Sequence, residues 1–424
     1  MTPSKSYRLL HYLNRQHSVP ERAVLALVGW LGCALVTGKP ILARQMATEF
    51  WQDNFKDALR RAYWYASRGW PGLGSRTSDP FFCFSDGLDL RETEVLLDWV
   101  VGRDAALPAL EAASARVVSL AQIVHQSARQ QHNQKALQAL DDFHDVVDQL
   151  LARLNEIRAN AREAEPASTG ANSQKKEREG DFARDDAEQA LKDVARLLPL
   201  KDWGWTALSG TFLGIYREGD FLPHDFDIDL GLRANTTDVE QLKQILHAAP
   251  EFDSVRMDTQ YQLTRNSDGL HITTLPVLVK AVHRTGIAVD FSLLHEDNSV
   301  WWHGSMMHRW DHSPMDLVEY KLRGVTILGP RDGDRYLTEG YGDWRTPVKE
   351  FNCSSGRRNL VVAPNLLSLS LGMKRLIWHL QQGDPRGYDQ VLSDVRRQNI
   401  VQPESAGQPP AINRNWLQSR ESQP

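Results

Sequence analysis

The 424-residue sequence has few cysteines, no excess of positive charge and no long apolar run. Its three cysteines (Cys33, Cys83 and Cys353) are far apart and show no C-x-x-C spacing. This argues against a disulfide framework or a structural zinc site and favours a reducing compartment. The net charge of −5 gives no bulk attraction for a polyanion, so no nucleic-acid partner is predicted. An anionic ligand would need a local arginine or a metal ion.

The longest apolar run is AVLALVGWLGCALV, at residues 23–36. A helix of this length spans about 21 Å, whereas the hydrocarbon core of a bilayer is about 30 Å thick. We therefore expect a buried core helix here, with a short membrane anchor as the alternative. The protein is accordingly predicted to be cytoplasmic, and membrane-associated if the alternative holds.

Composition and periodicity divide the chain into five segments. Residues 1–100 have a helical, aromatic-rich pattern, and the heptad-like spacing of residues 101–162 predicts two helices in a hairpin or bundle, with self-association through them left open. Residues 163–183 lack apolar periodicity and predict a flexible linker, and residues 401–424 predict a disordered tail. Residues 184–400 mix strand-like and helix-like stretches. The predicted fold is α+β, a mixed sheet with flanking helices preceded by an all-α N-terminal region.

Within the α+β segment, DFDIDLGL alternates acidic and apolar residues, which predicts a strand with Asp225, Asp227 and Asp229 on one face. Residues two apart on a strand lie about 6.6 Å apart, so these carboxylates converge and repel one another. A divalent cation removes the conflict, because Mg²⁺ (or Mn²⁺) prefers carboxylate oxygen. Two ions about 3.5–4 Å apart can hold the attacking and leaving oxygens of a phosphoryl transfer. We therefore predict that the site binds two divalent ions.

A fourth acid is expected to join this group. LPVLVKAV and IAVDFSLL flank HRTG and predict a hairpin, in which Asp290 is an acid within an otherwise apolar strand. Such a residue is costly unless it is exposed or liganded. Asp290 is therefore the candidate third metal ligand beside Asp227 and Asp229, and the candidate general base.

Three other interpretations of the aspartates compete with a metal site. A solvent-exposed acidic strand face stays open. A calcium loop counted from Asp225 fails, because the positions that require glycine and glutamate hold Leu230 and Thr236. A set of helix N-caps is disfavoured by the strict two-residue alternation.

The residues upstream of the aspartates favour a phosphate ligand. Ser209, Gly210 and Thr211 form a small-residue turn at a predicted helix start, where backbone N–H groups can bind a phosphate. Arg217 follows in the same helix and can pair with phosphate oxygens, although a solvated surface arginine is an equal alternative.

The stretch SGTFLGIYREGDFLPHDFDIDLGL resembles a signature of the LicD/fukutin family, a branch of the nucleotidyltransferase superfamily. ILGPRDGDRYLTEGYGDWRTPVKEF resembles the second hallmark of that family, its Y-G-D-W block. The resemblance covers roughly residues 185–350. It implies a nucleotidyltransferase-like fold with Asp227, Asp229 and Asp290 as the metal-binding and catalytic acids. It also implies that Ser209, Gly210, Thr211 and Arg217 bind the donor phosphates, and that Asp225, Tyr341, Asp343 and Trp344 shape the site.

The family resemblance implies transfer of a phospho-alcohol, such as phosphocholine or an alditol phosphate. The donor would be CDP-activated and the acceptor a glycan hydroxyl, as in surface or capsular polysaccharide modification. Two alternatives remain: another nucleotidyltransferase-superfamily enzyme that releases pyrophosphate, and a helical scaffold with an inactive transferase domain.

Overall fold

A computed structural model of the chain describes residues 17–52, 58–59, 61–62, 89–101, 109–163, 183–223, 225, 227–297, 299–348, 351, 353–363, 365–402 and 410–417. The described residues divide into two compact units. The first is formed from described residues within 183–260 and 275–361, and the second from described residues within 17–163, 261–274 and 362–417. The predicted linker falls almost entirely on residues 164–182, and Cys83 also lies outside the described residues.

The first unit combines helices with the sheet. Its helices are α6 (Arg184–Leu197), α7 (Leu200–Trp203), α8 (Ser209–Glu218), α9 (Val239–Ala248), α10 (Gly333–Tyr341) and α11 (Cys353–Gly356). The strands are β1 (Thr206–Ala207), β2 (Asp227–Arg233), β3 (Phe252–Asn266), β4 (Gly269–His283), β5 (Ala288–Asp297), β6 (Val300–Gly304), β7 (Arg309–His312), β8 (Leu317–Leu322), β9 (Val325–Pro330) and β10 (Leu360–Val361). This arrangement confirms the predicted α+β class.

The sheet is mixed and open, with strand order β10-β7-β6-β5-β2-β1-β9-β8 and with β4 joining β3 to β5. Strands β2 and β5 are parallel neighbours, whereas β4 and β5 form the antiparallel hairpin predicted around residues 284–287. Strand β5 therefore lies between β2 on one side and β4, then β6, on the other. This central position brings side chains from three strands together.

The core of the first unit lies beneath one face of β2. Ile228, Leu230 and Leu232 are fully buried in it, as the alternation predicted, and Phe291 of β5 joins them. The strand begins at Asp227, so Asp225 precedes it instead of continuing the strand. The alternation of the sequence extends one step beyond the strand, because the Asp225 N–H donates to the Leu222 carbonyl and Asp225 is not paired in the sheet.

The described part of the second unit is mainly helical and includes the tip of the β3–β4 hairpin. Its helices are α1 (Val19–Thr37), α2 (Pro40–Trp51), α3 (Leu90–Val101), α4 (Ala109–Arg129), α5 (Asn133–Glu163), α12 (Leu366–Gln381) and α13 (Pro385–Arg397). The hairpin tip contacts α4 and α5, since Arg129 donates to the Tyr261 hydroxyl (3.1 Å) and Asn133 donates to the Asp268 carbonyl (3.2 Å). Residues 261–274 thus belong by their contacts to the helical unit.

The apolar run of residues 23–36 is not a buried core helix, which corrects the expectation from its composition. It forms most of α1, in which only Cys33 and Thr37 are buried, whereas Leu35 is 77% and Val24 61% exposed. The reason is that, among the described residues, α1 packs mainly on α2, where Gly29 faces Phe50. Among the described helices, α1 is long and apolar enough to cross a membrane by length and composition.

The described part of the predicted disordered tail is held by contacts. Ile412 is buried, pairs with Val401 in a β-bridge and donates its N–H to Asp148 of α5. Arg414 binds Asp145 and Asp148. Residues 403–409 and 418–424 lie outside the described part of the chain.

Candidate active site

A row of charged side chains crosses three neighbouring strands. Asp229 of β2 lies opposite Asp290 of β5, and Asp290 lies opposite Lys280 of β4. The Lys280 Nζ is 2.7 Å from the Asp290 Oδ2, and the two side chains are 19% and 12% exposed. Because the strand registers set this row, its geometry follows from backbone pairing and does not depend on long flexible side chains.

Asp227, Asp229 and Asp290 form a carboxylate cluster. One oxygen of each lies within 4.8 Å of an oxygen of the others. The Asp290 Oδ1 is buried and accepts no hydrogen bond from the described residues. The predicted convergence of these three acids is therefore present, and an open, solvated acidic strand face does not describe it.

The cluster perturbs the protonation of its members. Burial, and then the charges of Asp227, Asp225 and Asp290, raise the pKa of the Asp229 carboxyl well above its usual value. For Lys280, burial favours the neutral amine, but the nearby Asp290 and Asp227 outweigh burial and raise the pKa of its ammonium. Lys280 therefore remains a fixed cation that partly offsets the acids.

The start of α8 is joined to the cluster. The Gly210 N–H donates to the Asp229 Oδ2 at 3.3 Å, and the Asp229 N–H donates to the Thr211 Oγ1 at 2.8 Å. Ser209 has a left-handed φ of 46°, which is uncommon for a residue other than glycine, and its N–H donates to the Tyr336 hydroxyl at 3.0 Å. The positive end of the helix thus faces the carboxylates.

Asp225 lies over the same helix start. A Cβ atom added to Gly210 would lie 2.6 Å from the Asp225 Oδ2, closer than side-chain carbons pack. Glycine at position 210 therefore allows the carboxylate of Asp225 to approach the backbone. Asp225 also raises the pKa of Asp229, which places its charge beside the cluster.

Arg217 lies at the other end of α8. Its Nη1 donates to the Trp344 carbonyl at 2.9 Å, and its Nε donates to Glu218 at 2.7 Å. Trp344 is buried, whereas Asp343 is exposed and accepts a hydrogen bond from Thr346. Arg217 thus joins α8 to the Y-G-D-W block, and its role toward a donor phosphate stays a prediction.

Two tyrosines of α10 surround a buried arginine. Arg357 is 4% exposed, and its guanidinium carbon lies 4.3 Å from the ring centre of Tyr341. Arg357 also lies close enough to Tyr336, the residue whose hydroxyl accepts from Ser209, for the two groups to interact electrostatically. Burial raises the pKa of both tyrosines, although the neighbouring charge of Arg357 opposes this shift.

A buried pair of histidines lies behind Tyr336. His312 stacks on Tyr336 with ring centres 4.8 Å apart, and its Nε2 is 3.2 Å from the Nδ1 of His303. Burial, with a smaller contribution from Arg357, lowers the pKa of His303 to about 3, and burial also lowers that of His312. Both rings are therefore neutral at physiological pH, and they serve as packing and hydrogen-bonding groups.

Sequence reasoning missed Lys280, Tyr336 and Arg357. Lys280 gave a usable signal, since a lysine within the apolar stretch VLVKAV is as unusual as the aspartate in IAVDFSLL. Tyr336 lies within the Y-G-D-W block, but a tyrosine at this spacing carries no signal of its own. Arg357 lies beyond every motif, and its burial depends on the tertiary fold.

The donor set fits a divalent cation. Three carboxylates converge, and one buried oxygen lacks a hydrogen bond among the described residues. Hard cations such as Mg²⁺ and Mn²⁺ take oxygen ligands of this kind. The number of ions stays a prediction.

Two comparisons with known proteins bear on this site. Residues 206–331 match the nucleotidyltransferase domain of LicD/FKTN/FKRP. Over 164 residues the chain is 25% identical to the uncharacterized protein RP689 of Rickettsia prowazekii (strain Madrid E). That similarity covers 37% of this chain and 54% of the relative, so the chain spans about half the length of the curated protein that it matches. The domain match runs from β1 to the residue after β9 and ends before Tyr336 and Arg357.

Proposed function

We propose that this protein is a transferase that moves a phospho-alcohol group. The premise is that residues 206–331 match a LicD/FKTN/FKRP nucleotidyltransferase domain. The group would be phosphocholine or an alditol phosphate, the donor its CDP-activated form and the acceptor a glycan hydroxyl. The observation that supports the proposal is the cluster of Asp227, Asp229 and Asp290 at the start of α8. Phosphoryl transfer relies mainly on positioning and on charge stabilisation. A cation held by these carboxylates would provide both.

Asp227, Asp229 and Asp290 are the residues that would hold a divalent cation. When bound, such an ion supplies the positive charge that the donor diphosphate needs. The start of α8 contributes the positive end of its dipole on the same side. Lys280 fixes the Asp290 Oδ2, which orients this carboxylate and leaves its Oδ1 available for another partner.

The proposed reaction is a substitution at the phosphorus that carries the alcohol. The acceptor oxygen forms a bond to this phosphorus, and the bridging P–O bond of the diphosphate breaks. The electron pair of that bond leaves with CMP, and the hydroxyl proton passes to a carboxylate, for which Asp290 is our candidate. Removal of the proton makes the acceptor oxygen a stronger nucleophile as the new bond forms.

Helix α1 is proposed to hold the protein at a membrane. Its 19 residues span about 28 Å, close to the thickness of a hydrocarbon core, and its solvent-facing side is apolar. Arg22, near its start, lies over the ring of Trp51, which is half exposed, and such basic and aromatic pairs suit the headgroup region. A membrane position would suit an acceptor glycan that is carried on a lipid.

The test is to incubate the purified chain with Mg²⁺, a glycan acceptor and a panel of CDP-activated donors, and to measure CMP. We expect CMP release with one class of donor and none with Asp227→Asn. Asp316→Asn, which removes an exposed aspartate of the same unit, serves as the matched control and should be fully active. Pyrophosphate release from a nucleoside triphosphate would favour nucleotidyl transfer instead. Absence of turnover in a folded protein that binds no Mn²⁺ would favour a scaffold.

A further inference from the structure

Arg357 is a buried cation without a carboxylate partner among the described residues. It is 4% exposed, and its Nη2 has no hydrogen-bond acceptor in that part of the chain. Arg323 of the same unit differs, because it binds Asp220 and Glu188. Burying an arginine without a counter-charge is costly, so its charge is expected to have another use.

The surroundings of Arg357 connect it to the carboxylate cluster. Its guanidinium packs on the ring of Tyr341 and against Gly340, where an added Cβ would lie 3.2 Å from the guanidinium carbon. It interacts electrostatically with Tyr336, whose hydroxyl accepts from the Ser209 N–H. The next amide, that of Gly210, donates to Asp229. A continuous chain of contacts therefore runs from Arg357 to a cluster acid.

We propose that Arg357 is a positioning residue of the carboxylate site. It holds Tyr336 and Tyr341 against the start of α8 and supplies a fixed positive charge for an anionic diphosphate donor. This inference rests on the proposed function for the identity of the donor. Its electrostatic part, the coupling of Arg357 to the cluster, does not depend on that identity.

The two roles predict effects of opposite sign on two ligands. A positive charge beside the aspartates repels a divalent cation and attracts a diphosphate. Arg357→Gln should therefore tighten Mn²⁺ binding by about fivefold and weaken CDP binding by about tenfold. General damage to the site would weaken both, so a merely structural role cannot produce this pattern.

The experiment measures Mn²⁺ binding by electron paramagnetic resonance and CDP binding by calorimetry with Mg²⁺ present, using the full chain. Arg357→Lys keeps the charge and should hold Mn²⁺ affinity within about twofold of the wild type. Tyr336→Phe removes the hydroxyl that accepts from Ser209 without a change of charge. It should weaken CDP binding and leave Mn²⁺ binding unchanged. Arg323→Gln, a charge-matched substitution in the same unit, should affect neither affinity.

Unchanged or weaker Mn²⁺ binding by a folded Arg357→Gln variant would overturn the inference. If that variant fails to fold, loss of Mn²⁺ affinity in Arg357→Lys would overturn it equally. Failure of the wild type to bind CDP while Arg357→Gln still tightens Mn²⁺ binding would reject the CDP donor and support the coupling. Equal CDP affinity in the wild type and Tyr336→Phe would reject the positioning role.

Discussion

Asp229→Asn should stabilise the metal-free protein and remove its response to metal. The clustered oxygens lie within 4.8 Å of one another. At an effective dielectric constant of about 20, one such pair of charges repels by about 3 kcal/mol. The substitution removes the repulsion from Asp227 and Asp290, but it also loses the attraction to Lys280 and weakens the hydrogen bond from Gly210. We expect a net gain of about 2 kcal/mol, or an increase in Tm of about 4–8 °C.

With metal bound, the wild type should become more stable than Asp229→Asn. A ligand that binds only the folded state at about 100 times its Kd stabilises it by about 2.7 kcal/mol. The wild type should gain this stabilisation from Mn²⁺ or Mg²⁺, whereas Asp229→Asn should gain little because one of three ligands is lost. Thermal unfolding followed by fluorescence or calorimetry, with a chelator and then with excess metal, measures both quantities.

Two outcomes would refute this reasoning. A lower Tm for metal-free Asp229→Asn would show that its carboxylate stabilises the fold and is not under repulsion. An undiminished metal-dependent rise in Tm would show that the ion binds elsewhere. Asp316→Asn removes an exposed aspartate of the same unit, and it should leave Tm and the metal response unchanged.

Three further predictions follow from the described contacts. Gly210→Ala should abolish transfer in a folded protein, because the new Cβ would displace the Asp225 carboxylate, and activity with circular dichroism checks this. His303 has a pKa of about 3 in the folded protein, whereas an unfolded histidine has a pKa of 6.5. Its contribution to stability is therefore fully present above pH 6.5 and is lost as the pH falls below that value. His303→Gln should therefore reduce the loss in unfolding free energy between about pH 7.5 and pH 5 by about 2 kcal/mol, measured with urea. Leu31→Glu should abolish cosedimentation with lipid vesicles, whereas Val348→Glu, at an exposed apolar residue of the other unit, should not.

Each of these predictions has its own control and contrary result. Gly32→Ala places a methyl group in open space on α1 and should leave transfer intact. If Gly210→Ala retains full activity, Asp225 has no need of its present position. A pH dependence equal to that of the wild type in His303→Gln would show that this imidazole takes up protons in the folded state. Vesicle binding that persists in Leu31→Glu would argue that α1 contacts another protein surface, such as a second copy of the chain.

The local part of this fold was accessible from the sequence. The β4–β5 hairpin and the buried face of β2 follow from two-residue alternation and a glycine turn, which are short-range signals. The pairing of β2 with β5 is different, because it joins segments about sixty residues apart and needs the whole sheet to form. Strand β3 also gave no clear signal, since its burial alternates weakly along fifteen residues.

Some residues of the candidate site could be identified from the sequence, whereas others could not. Asp290 could be identified from the sequence because an acid in an apolar strand is costly to bury without a partner. The parallel register of β2 and β5 then places it opposite Asp229. Arg357 could not, because neither its spacing nor its neighbours in sequence distinguish it from a surface arginine. Hydropathy likewise identified α1 as apolar but not as exposed, since exposure depends on how many partners a helix finds.

The β3–β4 hairpin has its base in the first unit and its tip, residues 261–274, in the second, which limits how the protein can be dissected. Residues 261–274 fall within the stretch that matches the family, yet their contacts are to helices encoded before it. A fragment cut to residues 184–361 would leave Tyr261 and the rest of this tip without the helices that cover it. In such a fragment the exposed hairpin tip would favour aggregation during crystallisation or screening. Deletion of the tip, or co-expression of residues 89–163, should avoid this.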